Sequence, residues 1–109
     1  MAFSTRYEDP EPAREAVDAL AGPVLLEFGT PWCGYCRVAQ PKIAAALEAH
    51  PGVRHLKVED ASGRRLGRSF TVKLWPTLVF MRDGAVVETL VRPGGPHEIA
   101  AALARIDPP

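Results

Sequence analysis

The 109-residue sequence predicts an α/β fold, a mixed sheet of four or five strands with helices on both faces. Two observations carry this prediction. An apolar run at residues 24–28, a long helical pattern and a second strand-like run at 53–59 indicate a βαβ crossover with parallel strands. Beyond it, two β-rich runs joined through Asp83-Gly84 and followed by a helical pattern predict an antiparallel hairpin and a closing helix. We expect residues 1–109 to form a single domain.

The first elements follow from apolar spacing. Residues 13–20 repeat apolar side chains at helical intervals, and Gly22-Pro23 ends that helix. A strand near residues 4–7 is optional. The run at 24–28 is almost continuously apolar, which indicates a central strand buried on both faces.

The helix that comes next carries one apolar stripe. It also contains Pro41, where we expect a kink because proline removes a backbone hydrogen bond. Residues 50–52 end the helix. The stripe consists of Cys36, Ala39, Ile43, Ala46 and Leu47.

The second half contains short elements. Residues 53–59 alternate as a strand, and Ser62 is expected to cap a short helix with Leu66 and Phe70 on its apolar side. Residues 77–81 and 85–91 form the predicted hairpin. The closing helix opens at 94–96 and places four apolar side chains on one face: Ile99, Ala102, Leu103 and Ile106.

Charge and hydropathy exclude several classes of function. Thirteen basic and thirteen acidic side chains cancel, so no nucleic-acid partner is expected. The densest basic stretch, residues 64–68, suits a solvated helix face, with docking to an acidic partner as the alternative. No apolar run reaches membrane-spanning length, and the first ten residues lack an apolar signal-peptide core. We expect a soluble cytoplasmic protein without a membrane partner.

The only two cysteines, Cys33 and Cys36, lie between the first strand and the long helix. In a reducing compartment, this spacing in this position is typical of redox catalysis. Cys33, at the helix N-terminus, is predicted to be exposed and to ionise easily, which makes it the nucleophile. Cys36, one turn further in, is predicted to resolve the mixed disulfide. Two inert buried cysteines are the alternative.

Glu27 is the one charged residue in the apolar strand. A buried carboxyl group must be paired or protonated, and in either state it can serve as a general acid or base. We expect Glu27 to lie beneath the cysteines and exchange a proton with Cys36, with Lys57 on the neighbouring strand as its charge partner. The alternative is a strand-edge acid paired to Lys57 or to solvent.

Two further sets of residues have open or ordinary assignments. Pro76 must begin its strand, because proline cannot lie inside a central ladder, and a cis bond before it has a low base rate. Trp75 either packs in the core or forms a flat apolar surface beside the cysteines. His50, His55 and His97 are expected at the surface or the core edge, not as metal ligands.

These motifs together resemble the thioredoxin family over nearly the whole chain. The resemblance depends on Trp32-Cys33-Gly34 followed after one residue by Cys36-Arg37, on Pro41, on Pro76-Thr77 and on Arg82-Asp83-Gly84. It implies the thioredoxin fold and dithiol/disulfide oxidoreductase activity on protein substrates. It also implies a cis bond before Pro76 that faces the active site, and it places Glu27 and Lys57 at the positions of a buried acid and its lysine partner.

The resemblance also has implications for cofactors and partners. It implies no bound cofactor, a monomer, and electrons from a thioredoxin-reductase-type donor or a small thiol.

The sequence departs from the family pattern at three places. Tyr35 replaces the usual proline and gives a Cys-Gly-Tyr-Cys motif similar to that of periplasmic disulfide isomerases. Trp75 is bulkier than the small aliphatic residue that usually precedes the cis proline, and Arg92-Pro93 stands where the family has a glycine on its peptide-binding surface. The resemblance also places Trp32, Gly34 and Pro76 on that surface.

The sequence therefore predicts a reductase of protein disulfides. A disulfide oxidant or isomerase with the same residues is the first alternative. A module that holds zinc or an iron–sulfur cluster across a dimer is the second, although two cysteines are fewer than the four ligands that such sites prefer.

Overall fold

The computed structural model describes residues 2–61 and 64–109 of the chain. Helices and strands alternate there much as the sequence predicts. In chain order they are α1 (Arg14–Asp18), β1 (Pro23–Gly29), α2 (Gly34–Leu47), β2 (Arg54–Glu59), α3 (Leu66–Ser69), β3 (Thr77–Arg82), β4 (Ala85–Val91) and α4 (Pro96–Ile106).

The strands form one mixed sheet in the order β2-β1-β3-β4. Strand β1 pairs in parallel with β2 and antiparallel with β3, and β3 pairs antiparallel with β4. The predicted parallel crossover and antiparallel hairpin are therefore confirmed. Because β1 lies between two neighbours, its residues from Val24 to Gly29 are all buried, as its continuous apolar run predicts.

Alternate residues of β1 point to two different cores, since successive strand side chains face opposite ways. Leu25 lies in the core beneath α2 and α4, together with Ile43 and Leu103. Leu26 lies in the core on the opposite face, together with Val17. Glu27 shares the face of Leu25, so it is directed toward α2 rather than toward solvent.

The turn between β3 and β4 is tied to the start of β1. Asp83 and Gly84 both have positive φ angles, 50° and 83°, which the two central residues of a type I′ hairpin turn require. The backbone N–H of Gly22 donates to Oδ1 of Asp83 at 2.7 Å, and the N–H of Asp83 donates to the carbonyl of Gly22 at 3.1 Å. These bonds hold the tip of the hairpin against the end of the sheet opposite the cysteines.

Helix α2 carries the predicted stripe of five buried residues and includes Pro41, and it ends at Leu47, before the predicted stop at residues 50–52. The optional strand at residues 4–7 is reduced to one bridge between Tyr7 and Lys57. The segment leaves the strand path because the N–H of Ser4 donates to a side chain, His55 Nδ1 at 2.8 Å, instead of to a backbone carbonyl. The predicted cap Ser62 lies outside the described residues.

Membrane-spanning character is not found in the described ranges, where no helix has both the length and the apolar composition needed to cross a bilayer.

Candidate active site

Cys33 stands at the point where the loop after β1 becomes α2. It is the N-cap residue, with an extended backbone (φ −79°, ψ 122°), and its carbonyl accepts the first helical hydrogen bond from the N–H of Arg37 at 3.0 Å. The prediction that Cys33 is exposed is wrong, because only 9% of the residue is accessible. Its sulfur turns back over the helix end, where the N–H groups of Tyr35 and Cys36 reach it. It is still the more accessible of the two cysteines, since Cys36 is 1% exposed.

The helix end favours the thiolate of Cys33. Burial alone would raise the pKa of this thiol, but three hydrogen bonds oppose it: from the backbone N–H of Cys36, from the Cys36 thiol and from the backbone N–H of Tyr35. The positive charge of Arg92 acts in the same direction. The net result is a pKa of Cys33 below the ordinary cysteine value, as expected for a sulfur at a helix N-terminus.

Cys36 has the opposite character. The pKa of its thiol is raised to about 12, mainly by burial. A backbone hydrogen bond from Thr30 opposes the rise, whereas the hydrogen bond to Cys33 and the charges of Cys33 and Glu27 contribute to it. Cys36 therefore keeps its proton while Cys33 is ionised. Both cysteines are in the free thiol state in this structure.

The end of β1 provides the space for Cys36. A Cβ atom at Gly29 would overlap the sulfur of Cys36, and the backbone carbonyl of Gly29 accepts a 2.9 Å hydrogen bond from the N–H of Asp60. A glycine is thus required where β1 passes closest to the resolving sulfur.

Glu27 is buried, 1% exposed, and accepts two hydrogen bonds. His55 Nε2 lies 2.8 Å from its Oε1, and Gln40 Nε2 donates to its Oε2 at 2.7 Å. The predicted direct pairing with Lys57 is wrong. Gln40 lies between the two charges: Lys57 Nζ donates to Gln40 Oε1 at 2.9 Å, and its ammonium group lies 4.7 Å from the centre of the Tyr7 ring.

His55 has a defined hydrogen-bonding state. Its Nδ1 accepts the N–H of Ser4, so the neutral ring carries its proton on Nε2 and donates it to Glu27. Two donors therefore face the carboxyl group, an arrangement that suits a carboxylate. Gln40 also donates to the carbonyl of Cys36 at 2.7 Å, which ties the acid to the helical turn that carries the resolving cysteine.

Gln40 was not predicted as a site residue, and His55, which was predicted at the surface or the core edge, has a buried side chain. A signal for His55 was present. The parallel register pairs Leu25 with His55 and Glu27 with Lys57, so a period of two puts His55 and Lys57 on the face of Glu27. Gln40 lies four residues after Cys36, so helical spacing places it near that cysteine, but nothing in the sequence marks it as a partner of Glu27.

A cavity of about 190 Å³ adjoins Cys36. It is large enough to hold solvent. The hydroxyl of Thr30 is buried and finds no partner among residues 2–61 and 64–109. Burial and the nearby charge of Glu27 hold the pKa of Tyr7 well above its ordinary value, so its hydroxyl keeps its proton. The cavity is lined by Thr5, Tyr7, Thr30, Pro31, Cys36, Arg37, Gln40 and Lys57.

Aromatic side chains form the outer surface beside Cys33. Trp32 and Tyr35 are 67% and 62% exposed, and the rings of Trp32 and Trp75 meet edge to face at 5.6 Å. The bond between Trp75 and Pro76 is cis, as the resemblance implies. Trp75 is half-buried, and its Nε1 donates to Asp60 Oδ2 at 2.8 Å. Of the two alternatives for Trp75, the structure favours the apolar surface beside the cysteines.

Arg92 reaches this surface from the end of β4. Its guanidinium lies 3.9 Å from the centre of the Tyr35 ring, and its Nε donates to the carbonyl of Trp75 at 2.7 Å. Two of the three places where the chain departs from the family pattern, positions 35 and 92, are therefore in contact with each other.

A third metal ligand is not found beside the cysteine pair in the part of the chain that the structure describes, where no three His, Cys, Asp or Glu side chains come together. The site as built is a pair of thiols with an acid network behind it.

Comparison with known proteins agrees with this geometry. The sequence model of the thioredoxin family matches residues 7–105. The chain is 30% identical to thioredoxin Asp f 28 of Aspergillus fumigatus over 79% of this chain and 80% of that protein, and 37% identical to a thioredoxin of Chlamydia trachomatis over 68% and 74%. It is similar to the structure of reduced thioredoxin 2 from Pseudomonas aeruginosa, with 55% identity, a TM-score of 0.84 and coverage of 95% and 96%. A strand, a Cys-x-x-Cys turn, a helix and a cis proline in this arrangement, with these relatives, show that the chain belongs to the thioredoxin family of thiol–disulfide oxidoreductases.

Proposed function

We propose that this oxidoreductase acts as a reductase of disulfides in other proteins. The observation that carries the proposal is the difference between its two thiols. Cys33 has a lowered pKa and is the more accessible, whereas Cys36 has a raised pKa and is buried. One sulfur is thus prepared to attack, and the other is held as a thiol until the first has reacted.

The reaction proceeds in two exchanges. The thiolate of Cys33 attacks one sulfur of the substrate disulfide, the substrate S–S bond breaks, and the other substrate sulfur leaves as a thiolate that takes a proton from solvent. Cys36 then loses its proton and attacks the sulfur of Cys33, which releases the second substrate thiolate, and this also becomes protonated. The substrate gains two electrons, and Cys33 and Cys36 lose two as their disulfide forms.

Glu27 is proposed to accept the proton of Cys36. Gln40 supports this role because one amide nitrogen donates both to Glu27 Oε2 and to the carbonyl of Cys36. Lys57 acts as a positioning residue, since it holds the oxygen of the Gln40 amide. The cavity beside Cys36 is proposed to give the proton a route to solvent after transfer.

The apolar surface is proposed to receive the substrate chain. Trp32, Gly34 and Tyr35 form one side of it, and Trp75 with Pro76 forms the other. Exposed aromatic rings beside the reactive sulfur offer contact area for an unstructured peptide segment at little cost in side-chain entropy.

Electrons for the next cycle are proposed to come from a thioredoxin-reductase-type donor. We further propose that the protein works as a monomer in the cytoplasm. The cysteine content supports the location only, because both cysteines belong to the redox pair and the cytoplasm keeps thiols reduced. Sedimentation equilibrium and fractionation of cells test these two proposals, and a stable dimer or a periplasmic fraction would contradict them.

Trapping of the intermediate tests the reductase mechanism. In Cys36→Ser the first exchange still occurs and the second cannot, so a disulfide-bonded peptide should accumulate as a covalent adduct that mass spectrometry detects. Cys33→Ser is the matched control and should form no adduct. Adducts of equal yield in both variants would overturn the assigned roles.

The direction of the reaction is tested by equilibration with mixtures of reduced and oxidised glutathione. The redox state of the cysteine pair is read by alkylation. The midpoint potential of a reductase should be more negative than that of the glutathione pool, so its cysteine pair should stay reduced only in strongly reducing mixtures. A potential at or above that pool would support the oxidant or isomerase alternative instead.

A further inference from the structure

The Arg92 side chain is held over the substrate surface by two contacts. Its guanidinium stacks on the Tyr35 ring, and its Nε is bonded to the carbonyl of Trp75. Tyr35 follows Cys33 by two residues, and Trp75 precedes the cis proline, so Arg92 joins the two sides of the surface. In the described ranges, neither Nη1 nor Nη2 of Arg92 has a hydrogen-bond partner.

The backbone at Arg92 is in the left-handed region, with φ of 49°, where a glycine would be unstrained. Its N–H donates to the carbonyl of Pro76 at 2.9 Å, a bond that glycine could make equally well. The backbone therefore gives no reason for an arginine here. What arginine adds at this position is its side chain.

Lys42 provides a second positive charge on the same groove. A depression of about 70 Å³ lies between α2 and the Pro76 region, and Arg92 and Lys42 both line it. Lys42 is half-buried and donates to the carbonyl of Gly94 at 3.2 Å. The remaining lining residues are Tyr35, Val38, Ala39, Pro76 and Pro93.

Neither cation of the groove is neutralised by a carboxylate of the residues that the structure describes. Among the described residues, no carboxylate oxygen lies within 4.0 Å of Arg92 or Lys42, although ion pairs form at several other places. Glu98, on the adjoining helix, accepts the N–H of Gly94 instead. An apolar floor with two uncompensated cations is complementary to an anionic group on an otherwise apolar chain.

We propose that Arg92 and Lys42 select substrate proteins that carry an aspartate or glutamate next to the reacting cysteine. This inference rests on the reductase function proposed above and names its substrate class. The carboxylate of the substrate binds the Nη edge of Arg92 while the substrate sulfur lies at Cys33. Arg92 takes no part in the transfer of electrons, which follows the two exchanges already described, and it acts through orientation and affinity.

Three disulfide-bonded peptides that differ only beside the cysteine test the proposal. The neighbouring residue is aspartate, asparagine or lysine, and reduction is followed with an excess of a chemical dithiol as electron source. We expect the aspartate peptide to have a kcat/KM roughly threefold to tenfold above that of the asparagine peptide, with the lysine peptide lowest, as exposed charge-assisted contacts allow. The preference should shrink with added salt.

Variants assign the preference to the groove. Arg92→Gln should abolish most of the discrimination between the aspartate and asparagine peptides, and Arg92→Gly, which removes the backbone strain, should do the same in a chain that folds readily. Arg54→Gln is the matched control. It removes one exposed positive charge at the opposite end of the sheet and should leave the preference unchanged.

The outcomes separate this inference from the reductase function. An Arg92→Gln protein that slows equally on all three peptides would show that Arg92 acts only through Cys33, and the selection proposal would be overturned. Equal rates on the three peptides with the unaltered chain would overturn it as well. A protein that reduces none of them, while Cys33 still alkylates normally, would instead count against the reductase function.

Discussion

The two sulfur atoms of the site differ because the fold gives them different neighbours, not because of sequence position alone. Cys33 receives backbone N–H groups at the start of α2, and Cys36 is enclosed behind it. The protonation states of the two cysteines depend on each other. A hydrogen bond from the Cys36 thiol favours the Cys33 thiolate, and the negative charge of that thiolate keeps Cys36 protonated. Conversion of Cys33 into a disulfide removes the charge and makes Cys36 easier to ionise.

Alkylation at a series of pH values should reveal this difference. The rate follows the thiolate fraction, so it rises as pH passes the pKa of each thiol. For Cys33 the rise should come below the ordinary cysteine range of about 8.5. For Cys36 it should come far above that range, toward its pKa of about 12.

Single-cysteine variants separate the two profiles. In Cys33→Ser, alkylation of Cys36 should still begin at a higher pH than alkylation of a free cysteine. Burial of the Cys36 thiol remains after the neighbouring negative charge has been removed. Coincident profiles for Cys33 and Cys36 would refute the assignment of attacker and resolver.

Glu27→Gln should affect both stability and the second exchange. The new amide group brings a donor to a place where Gln40 and His55 already donate, so one buried group loses its partner, at a cost of about 1–3 kcal/mol in the free energy of unfolding. Resolution of the mixed disulfide should slow by roughly tenfold or more through loss of the proton acceptor.

Urea unfolding and stopped-flow release of the substrate thiol measure the two effects. Glu15→Gln, which removes an exposed carboxylate from α1, should change neither. A Glu27→Gln protein whose second exchange keeps its rate and pH dependence would leave Glu27 with a structural role only.

Residue identities could be predicted from the sequence where a pattern exposes them. Glu27 interrupts an apolar strand, and the cysteine pair precedes a helix, so both stood out. The partner of Glu27 could not be chosen in this way, because Lys57 and His55 share one face of β2 and only the side-chain geometry distinguishes them. Gln40 stayed hidden, since a glutamine on a helix is ordinary until its position against the acid is known.

At the scale of the element, the end of β1 determines how near the sheet comes to the redox helix. Gly29→Ala should displace the sulfur of Cys36, because the added Cβ would overlap it. Displacement of this buried side chain should lower stability by about 1–3 kcal/mol. It should also slow the second exchange more than the first, as stopped-flow measurement of both steps would show.

Gly52→Ala is the control for this change, since a Cβ there meets nothing within 4 Å. If Gly29→Ala slowed both exchanges by the same factor, its effect would lie on the whole helix end rather than on Cys36.

Elements were predictable in proportion to their length and to the regularity of their pattern. The stripe of α2 and the Asp83-Gly84 hairpin were predicted because each repeats a period or a turn signal. The segment at residues 4–7 was ambiguous because β-favouring residues there have two possible partners, the edge of β2 and the His55 side chain. The structure uses both, with a bridge at Tyr7 and a hydrogen bond at Ser4.

At the scale of the whole molecule, the sheet order places the cysteine end of β1 beside the start of β3. Thr77 pairs with Phe28, so the cis proline that precedes Thr77 lies next to the loop that leads to Cys33. The sequence indicated the strands and their directions but not this adjacency. The order of the strands depends on which strand edges pair in the folded sheet, and local sequence patterns carry no information about that pairing.

The N-terminal segment contacts both the core and the acid network, because Phe3 packs on the core under α2 and lies 5.3 Å from the His55 ring. Phe3→Ala should lower the free energy of unfolding by about 1–3 kcal/mol, somewhat less than a fully buried phenylalanine would. Urea denaturation measures the loss. Phe3→Leu, which keeps an apolar side chain of similar volume, should recover most of it, and an unchanged midpoint in Phe3→Ala would show that the segment contributes no stability.

The hydrogen bond from Ser4 to His55 also has a practical consequence. It is the outer end of a chain of contacts that passes through Glu27 and Gln40 to the carbonyl of Cys36. An affinity tag fused ahead of Met1 would therefore be attached three residues before Ser4, the first member of this series of hydrogen bonds. A rate of disulfide exchange measured on such a fusion would include the effect of the tag on the buried Glu27. A tag after Pro109, beyond the end of α4, leaves that connection as the native sequence makes it.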